Sequence, residues 1–325
     1  MKLPRRKFLH LAAGAAAVPA VSRISWAQTY PTRPVRIIAP TASGGAPDII
    51  ARLIGPWLSQ RLGQQFVVEN RPGSGNNIGT EAVVRAAPDG YTLLIASSSN
   101  TINATLYDKL NFVFLRDIAA VAGIISLPFV MVVNPSVPAK TVPELIAHAK
   151  VNPGKISFGS PGIGTPGHVA GELFKMMAGV EMIHVPYRGG GAVVSDLLGG
   201  QVQVLFGTTS LTVEQVRAGK LRALAVTGAT RWEGLPDIPT VADFVSGYEA
   251  SSLFGLGAPK QTPAAIIDRL NREINAALDD PTLKTRLIEL GGTLLAGSPT
   301  DFGKLLADDT EKWSKVIRAA SIRAE

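Results

Sequence analysis

Five runs of small residues carry the groups whose chemistry could be turned on a ligand. The first is Thr41-Ala42-Ser43-Gly44-Gly45, followed three residues later by Asp48. The second is Ser97-Ser98-Ser99, with Thr101 beyond it. The third, Gly159 to His168, holds Ser160, Gly164, Thr165 and His168. The fourth, Tyr187 to Asp196, holds Gly190, Ala192 and Asp196, and the fifth is Gly207 to Ser210 with Thr208. Glycine lets backbone N–H groups approach a ligand closely, and a helix N-terminus adds positive partial charge. Hydroxyls supply adaptable donors and acceptors. This set suits a carboxylate or another small anion. Any one run could be ordinary turn chemistry, but the shared character of all five points to a site. Asp48 and Asp196 fall at expected helix starts, where an acid interacts favourably with the helix dipole by ~0.3–1 kcal/mol; ligand contact is the other reading. His168 also falls at a helix start, as a ligand donor or as a locally bonded imidazole.

A competing chemistry lies in SFGSPGIGTPGHVAGELFK, Ser157 to Lys175. Gly162, Gly164 and Gly167 match the G-x-G-x-x-G spacing of a dinucleotide turn. The alternative function is therefore an exported nicotinamide- or flavin-dependent oxidoreductase using Gly162–Gly167. Against it, Gly159-Ser160-Pro161 separates the strand from the glycines, and Pro166 alters the turn. Other catalytic options are thin. There is no cysteine, which excludes thiolate chemistry, disulfides and cysteine zinc sites. No H-E-x-x-H, G-x-S-x-G or phosphate-loop motif occurs. A Ser160/His168/Asp196 triad has no motif to support it. No metal-ligand spacing and no cofactor is expected.

These loops need a scaffold that brings them together. The chain alternates strand and helix patterns, which predicts an α/β fold with mostly parallel strands. VRIIAP (35–40) reads as a strand, and Ile50, Leu53, Ile54, Trp57, Leu58 and Leu62 follow at helical spacing before Gly63. The second half repeats the order. VVENRPGSGNN parallels IHVPYRGGGAV, and DGYTLLIASSS parallels GGQVQVLFGTTS. Two similar lobes are predicted. LPFVMVVNPSVPAKT (127–141) and SSLFGLGAPKQTP (251–263) are the expected crossings between them. Residues 28–129 with 251–325 then form lobe 1, and 130–250 lobe 2. In parallel α/β sheets ligands bind at the carboxyl ends of strands, where all five runs fall.

The net charge of +7 is concentrated at the start of the chain, where Lys2, Arg5, Arg6, Lys7 and Arg23 carry five positive charges without an acid. The rest is nearly balanced and has no basic cluster with aromatics, so nucleic-acid binding is discarded. MKLPRRKFLHLAAGAAAVPAV is basic and then modestly apolar, and Ser25-Trp26-Ala27 offers a cleavage site. The apolar run is too short for a ~30 Å hydrocarbon core. Residues 1–27 resemble a twin-arginine export signal, removed near Ala27, which predicts a periplasmic protein.

From Tyr30 to Arg323 the chain also resembles a family. The motifs VVENRPG, APDGYTLL, HVPYRG, DLLGGQV and GKLRALAVT are similar to those of the Bug/TctC receptors, the solute-binding proteins of tripartite tricarboxylate transporters. The resemblance implies a two-lobed Venus flytrap, joined by two hinge crossings and free of enzymatic activity. It implies a small organic anion in the cleft, held by backbone amides, hydroxyls and waters. It also implies presentation to membrane permease subunits or a sensor, and a monomer is expected. The matching ligand positions are Thr41, Ser43, Gly44, Gly45, Asp48, Ser97 to Thr101, Ser160, Gly164, Thr165, His168, Gly190, Ala192 and Asp196. Three departures stand out. Thr41 replaces a frequent aromatic, Asn100-Thr101-Ile102-Asn103 replaces a T-H-A-I-N run, and Phe206-Gly207-Thr208 replaces F-D-N. The last removes an acid near the cleft, which would favour a more anionic solute.

Overall fold

The computed structural model describes residues 30–324. The expected export signal at 1–27 lies outside the described residues. Among those described, no helix is long and apolar enough to cross a membrane.

Lobe 1 begins with β1 (Val35–Ala39), α1 (Ala46–Leu62), β2 (Phe66–Asn70), α2 (Asn77–Val84), β3 (Thr92–Ser97) and α3 (Ser98–Leu106). Helix α1 forms because its apolar residues recur on one face, and Ile50, Ile54 and Leu58 are buried beneath it. It stops at Gly63, whose φ of 72° is the left-handed conformation that favours glycine. Lobe 2 repeats the sequence of elements. It has β5 (Ser157–Ser160), α6 (Pro166–Ala178), β6 (Ile183–Pro186), α7 (Gly190–Leu198), β7 (Val204–Thr208) and α8 (Thr209–Arg217). Strands pair in the order β2-β1-β3 in one lobe and β6-β5-β7 in the other, all parallel. The duplicated sequence pattern thus folds into duplicated topology.

Two antiparallel strands join the halves. β4 (Ile118–Val133) runs through both: its first part pairs with β9 (Ser251–Pro259) and its last part with β7 and with β8 (Arg222–Val226). The sequence pattern located this crossing only from Leu127. The preceding stretch, IAAVAGIIS, is rich in alanine and glycine and lacks bulky alternation, yet it is strand. Its small residues admit close neighbours, because a Cβ on Gly123 would collide with the Leu295 backbone and Phe302.

The remaining elements are α4 (Phe114–Asp117), α5 (Val142–Val151), α9 (Ala264–Asp279), α10 (Pro281–Glu289), β10 (Thr293–Leu294) and α11 (Pro299–Ala319). The residues themselves predict N-caps at Thr141 (with Glu144), Thr262 (with Pro263) and Ser298 (with Pro299), and Thr141 and Ser298 do cap α5 and α11. Thr262 does not cap α9; Pro263 occupies that position, and the Thr262 N–H closes a turn onto Pro259 O. Helix α11 spans both cores. Phe302 and Leu306 pack with Ile38 and Leu94 of lobe 1, while Trp313, Val316 and Ile317 pack with Phe129, Phe158 and Phe206. The end of α3, at Ile102 and Leu106, joins the second group. Not all of 251–325 therefore packs on lobe 1 alone.

Candidate functional site

Six helices direct their N-termini at one cleft between the lobes. α1, α2 and α3 approach from lobe 1 through Gly45, Asn76 and Ser97; α6, α7 and α8 approach from lobe 2 through Thr165, Gly190 and Thr208. The cleft encloses about 410 Å³. The caps of α1, α2, α6, α7 and α8 make no side-chain hydrogen bond to their first turns. Of the helices away from the cleft, α5, α10 and α11 are capped by Thr141, Asp280 and Ser298, whereas α4 and α9 are not. The helix N-termini gathered at the cleft bring first-turn N–H donors that an anion would satisfy. Ser97 adds a buried hydroxyl with no partner among the described residues.

No charged side chain lines the cleft among the described residues. Its floor is apolar, formed by Leu127, Phe129, Phe206 and Phe254, with Leu211 at the side. An occupant is therefore met by dipoles at its ends and by hydrocarbon in its middle.

The structure brings eight sequence-predicted residues to this wall: Thr41, Gly44, Gly45, Ser97, Ser99, Thr165, Gly190 and Thr208. The others lie behind it or beside it. Asp48 is buried and bound by Gly44 N–H at 2.9 Å, Arg52 Nε at 2.9 Å and Asn70 Nδ2 at 2.9 Å. Burial opposes its ionisation, but these bonds prevail and hold its pKa at about 2. Asp48 braces the first loop, and Ser43 Oγ, exposed on the far side, leans on the same carboxylate at 3.4 Å. Asp196 accepts from the Tyr187 hydroxyl at 2.8 Å and so fastens the fourth loop. Burial first, then Asp196, push that phenol up to about 12. Ala192 is exposed outside the cleft wall.

Ser98 and Thr101 are fully buried beneath α3. The sequence pattern reads Ser97 to Thr101 as a hydroxyl-rich strand end, whereas the helix starts at once at Ser98. The Ser97 N–H donates to Asn100 Oδ1 at 2.8 Å, and this bond turns the chain. Helical periodicity then directs Ser99 to the cleft and Ser98 and Thr101 away from it.

The third loop is braced by stacked imidazoles. His168 and His184 lie 3.6 Å apart and 10° from parallel. His168 Nδ1 accepts from Gly164 N–H at 2.9 Å, which leaves its proton on Nε2. Ser160 Oγ donates to Gly162 O at 2.9 Å and accepts from His184 Nε2 at 2.7 Å. Both rings are neutral. Burial, then the neighbouring His184 and Lys175, lower His168 to about 3; burial and Lys175 lower His184 to about 4. The Ser160/His168/Asp196 triad is not assembled, because Ser160 is buried on His184 and Asp196 serves Tyr187. Gly164 is buried against Leu106.

The dinucleotide reading fails on the same geometry. Gly162 N–H bonds Ser160 Oγ, Gly164 N–H bonds His168, and Thr165 N–H bonds Gly162 O. The donors a pyrophosphate would need in that turn are consumed within the loop. The cleft residues missed by sequence include Asn76, Leu127, Phe129, Phe206, Leu211, Ser252 and Phe254. The aromatics lie in apolar runs that read as core; Asn76 stands in GSGNN, a run as glycine-rich as those selected.

A profile described as "Tripartite tricarboxylate transporter family receptor" matches residues 50–322. The chain belongs to this receptor family. Its relatives include the protein BugT of Bordetella pertussis, 37% identical over 297 residues, covering 90% of each chain. Among solved structures, R. palustris Rpa4515 with adipate is 36% identical, with a TM-score of 0.81, covering 90% of this chain and 99% of that one. MatC from Rhodopseudomonas palustris with bound malate is 28% identical, with a TM-score of 0.76, covering 89% and 100%. A tripartite tricarboxylate transporter receptor is a solute-binding protein, and the two-lobed fold is that of its relatives.

Proposed function

We propose that this receptor captures a small dicarboxylate with a hydrocarbon middle in the cleft between its lobes. The observation that carries the reading is the convergence of uncapped helix N-termini from both lobes over an apolar floor. One carboxylate meets the starts of α1 and α3 at the Ala46 N–H and the hydroxyls of Ser97 and Ser99, over the wall formed by Thr41, Gly44 and Gly45. The other meets the starts of α6, α7 and α8 at Gly167, Gly190 and Thr208, beside Thr165. Leu127, Phe129, Phe206 and Phe254 accept the carbon chain. Relatives solved with adipate and with malate support the class of solute.

In this reading the protein is exported to the periplasm, its signal removed near Ala27, and works as a monomer without chemistry of its own. Residues 28–129 with 251–325 close on residues 130–250 about the two crossings, and the ends of α3 and α11 travel with the second body. The closed form is then presented to membrane components of the transporter.

A thermal-shift and calorimetric series of dicarboxylates tests this, from succinate through adipate to suberate, with malate and citrate. A binder held at 100 times its Kd should add about 2.7 kcal/mol of stability. Absence of stabilisation by every carboxylate at millimolar concentration overturns the reading.

A further inference from the structure

Beyond the cleft wall, one acid is buried where the two lobes and both long structural ties meet. Asp309 lies midway along α11, between the part that packs on lobe 1 and the part that packs on lobe 2. It is 7% exposed. Thr101 Oγ1 lies 2.5 Å from its Oδ2, Trp313 Nε1 donates to its Oδ1 at 2.8 Å, and the nearby Ser98 hydroxyl favours its charged form. Ser98 Oγ in turn accepts from Leu253 N–H, at 2.9 Å, on the β9 crossing. One carboxylate thus gathers the first turn of α3, the middle of α11 and, through Ser98, a hinge strand. That first turn of α3 also presents Ser97 and Ser99 to the cleft.

We propose that Asp309 is a positioning residue for solute capture: its ionised carboxylate holds the first turn of α3, with Ser97 and Ser99, in register with the opposite lobe. The proposal rests on the receptor reading above.

Thr101 and Trp313 bond this group with the Ser98 hydroxyl close by, and an ionised carboxylate has acceptor sites for all of them. A protonated acid can still be accommodated, because Thr101 can accept from it while donating to Ser98 O at 2.8 Å, but its bonds are then between neutral groups and about half as strong as charge-assisted ones. Protonation therefore weakens the tie between α3 and α11. Burial raises the acid to about 6, against the bond from Thr101, the nearby Ser98 hydroxyl, the charge of Lys312 and the bond from Trp313. The surrounding charges are few. On α11 itself Lys312 pairs with Glu249 at 3.7 Å, and Asp308 pairs with Lys304 on the exposed side. α3, β4 and β9 contribute no titratable side chain. α6, which packs on α11, contributes His168, Glu172 and Lys175, the last two paired at 2.8 Å.

The test compares the whole protein with Asp309→Asn at pH 7.5 and pH 5.5, by calorimetric titration of adipate. The solute's own protonation is common to both proteins and cancels in their ratio. Affinity that needs an acid ionised with a pKa near 6 falls about fourfold more in the wild type than in the variant over this range. In parallel, Trp313 fluorescence of the unliganded protein is followed in a Trp26→Phe/Trp57→Phe/Trp232→Phe background. It should titrate near pH 6 and be flat once Asp309→Asn is added. This titration on the wild-type carboxylate remains informative if the Asn variant folds poorly. A wild type and variant with the same pH dependence, or a flat Trp313 signal with intact binding, overturns the role of Asp309. A titrating Trp313 with no carboxylate bound at pH 7.5 overturns the receptor reading instead.

Discussion

Thr227 is fully buried between the two crossings, and its hydroxyl accepts from Phe129 N–H at 2.7 Å while lying 2.6 Å from Ala250 O. Its own N–H donates to Phe129 O at 2.9 Å, and its carbonyl accepts from Ala250 N–H at 2.8 Å. Phe129 is on β4 where that strand passes from one lobe to the other, and Ala250 precedes β9. A single threonine thus ties both hinge segments together. Thr227→Val keeps the shape and removes the hydroxyl, leaving a buried donor and acceptor unpaired. The expected loss is about 2–3 kcal/mol, measured by urea unfolding; a loss below 0.5 kcal/mol would show that the hydroxyl is not holding the hinge.

A second bond joins the lobes at the cleft's edge. Thr209, the first residue of α8, donates to Leu290 O at 2.6 Å, next to the end of α10. Thr209→Val removes that link without touching the floor. If the bond belongs to the bound arrangement, adipate affinity should fall about 3- to 10-fold, the equivalent of ~1 kcal/mol. Small-angle scattering should report a more open unliganded protein.

The stacked imidazoles make a prediction about acid. Both folded-state pKa values lie below that of a free histidine, about 3 for His168 and about 4 for His184. The unfolded chain takes up protons near 6.5, and the folded protein resists them. Stability is therefore complete above about pH 6.5 and declines as pH falls towards 4. The slope approaches about 1.4 kcal/mol per pH unit for His168, and is smaller for the more exposed His184, where solvent screens the effect. Urea midpoints from pH 7.5 to 4.5 check this, and His184→Phe should flatten the dependence.

Gly164 has φ of 69°, and a Cβ there would strike the Leu106 side chain. Gly164→Ala should cost about 1–2 kcal/mol for the left-handed backbone alone, plus the displacement of Leu106. Because the same loop carries Thr165 to the cleft, solute affinity should fall with stability; an unchanged affinity would mean that the loop tolerates the shift.

The apolar side of the cleft should set selectivity. Leu211 lines it and packs over Gly190. Leu211→Ser should weaken adipate more than malate, by roughly 3- to 10-fold in the ratio of their Kd values, since about 1–2 kcal/mol of side-chain burial is lost only for the longer carbon chain. Calorimetry with both acids measures the ratio.

Much of this was legible in the residues themselves. Gly63, Thr141 and Ser298 mark their helix boundaries because caps and left-handed turns are local chemistry, decided by neighbours in the chain. The paired motifs around Arg71 and Arg188 disclose the duplication, and strand–helix alternation discloses the fold. The five small-residue runs lead to the cleft because strand ends in parallel sheets gather at one edge. What the sequence left open is which side of each run faces the ligand. Ser97 and Ser99 reach the cleft, while Ser98 and Thr101 between and beyond them turn to Asp309, 208 residues further along from Thr101. Identical hydroxyls acquire opposite roles from a helical twist and a distant carboxylate. Likewise Phe129 and Phe206 read as core in any local pattern, and only the meeting of two lobes makes them a floor. Local chemistry determines where this chain turns; burial against distant partners decides which of its polar groups stay free for a ligand.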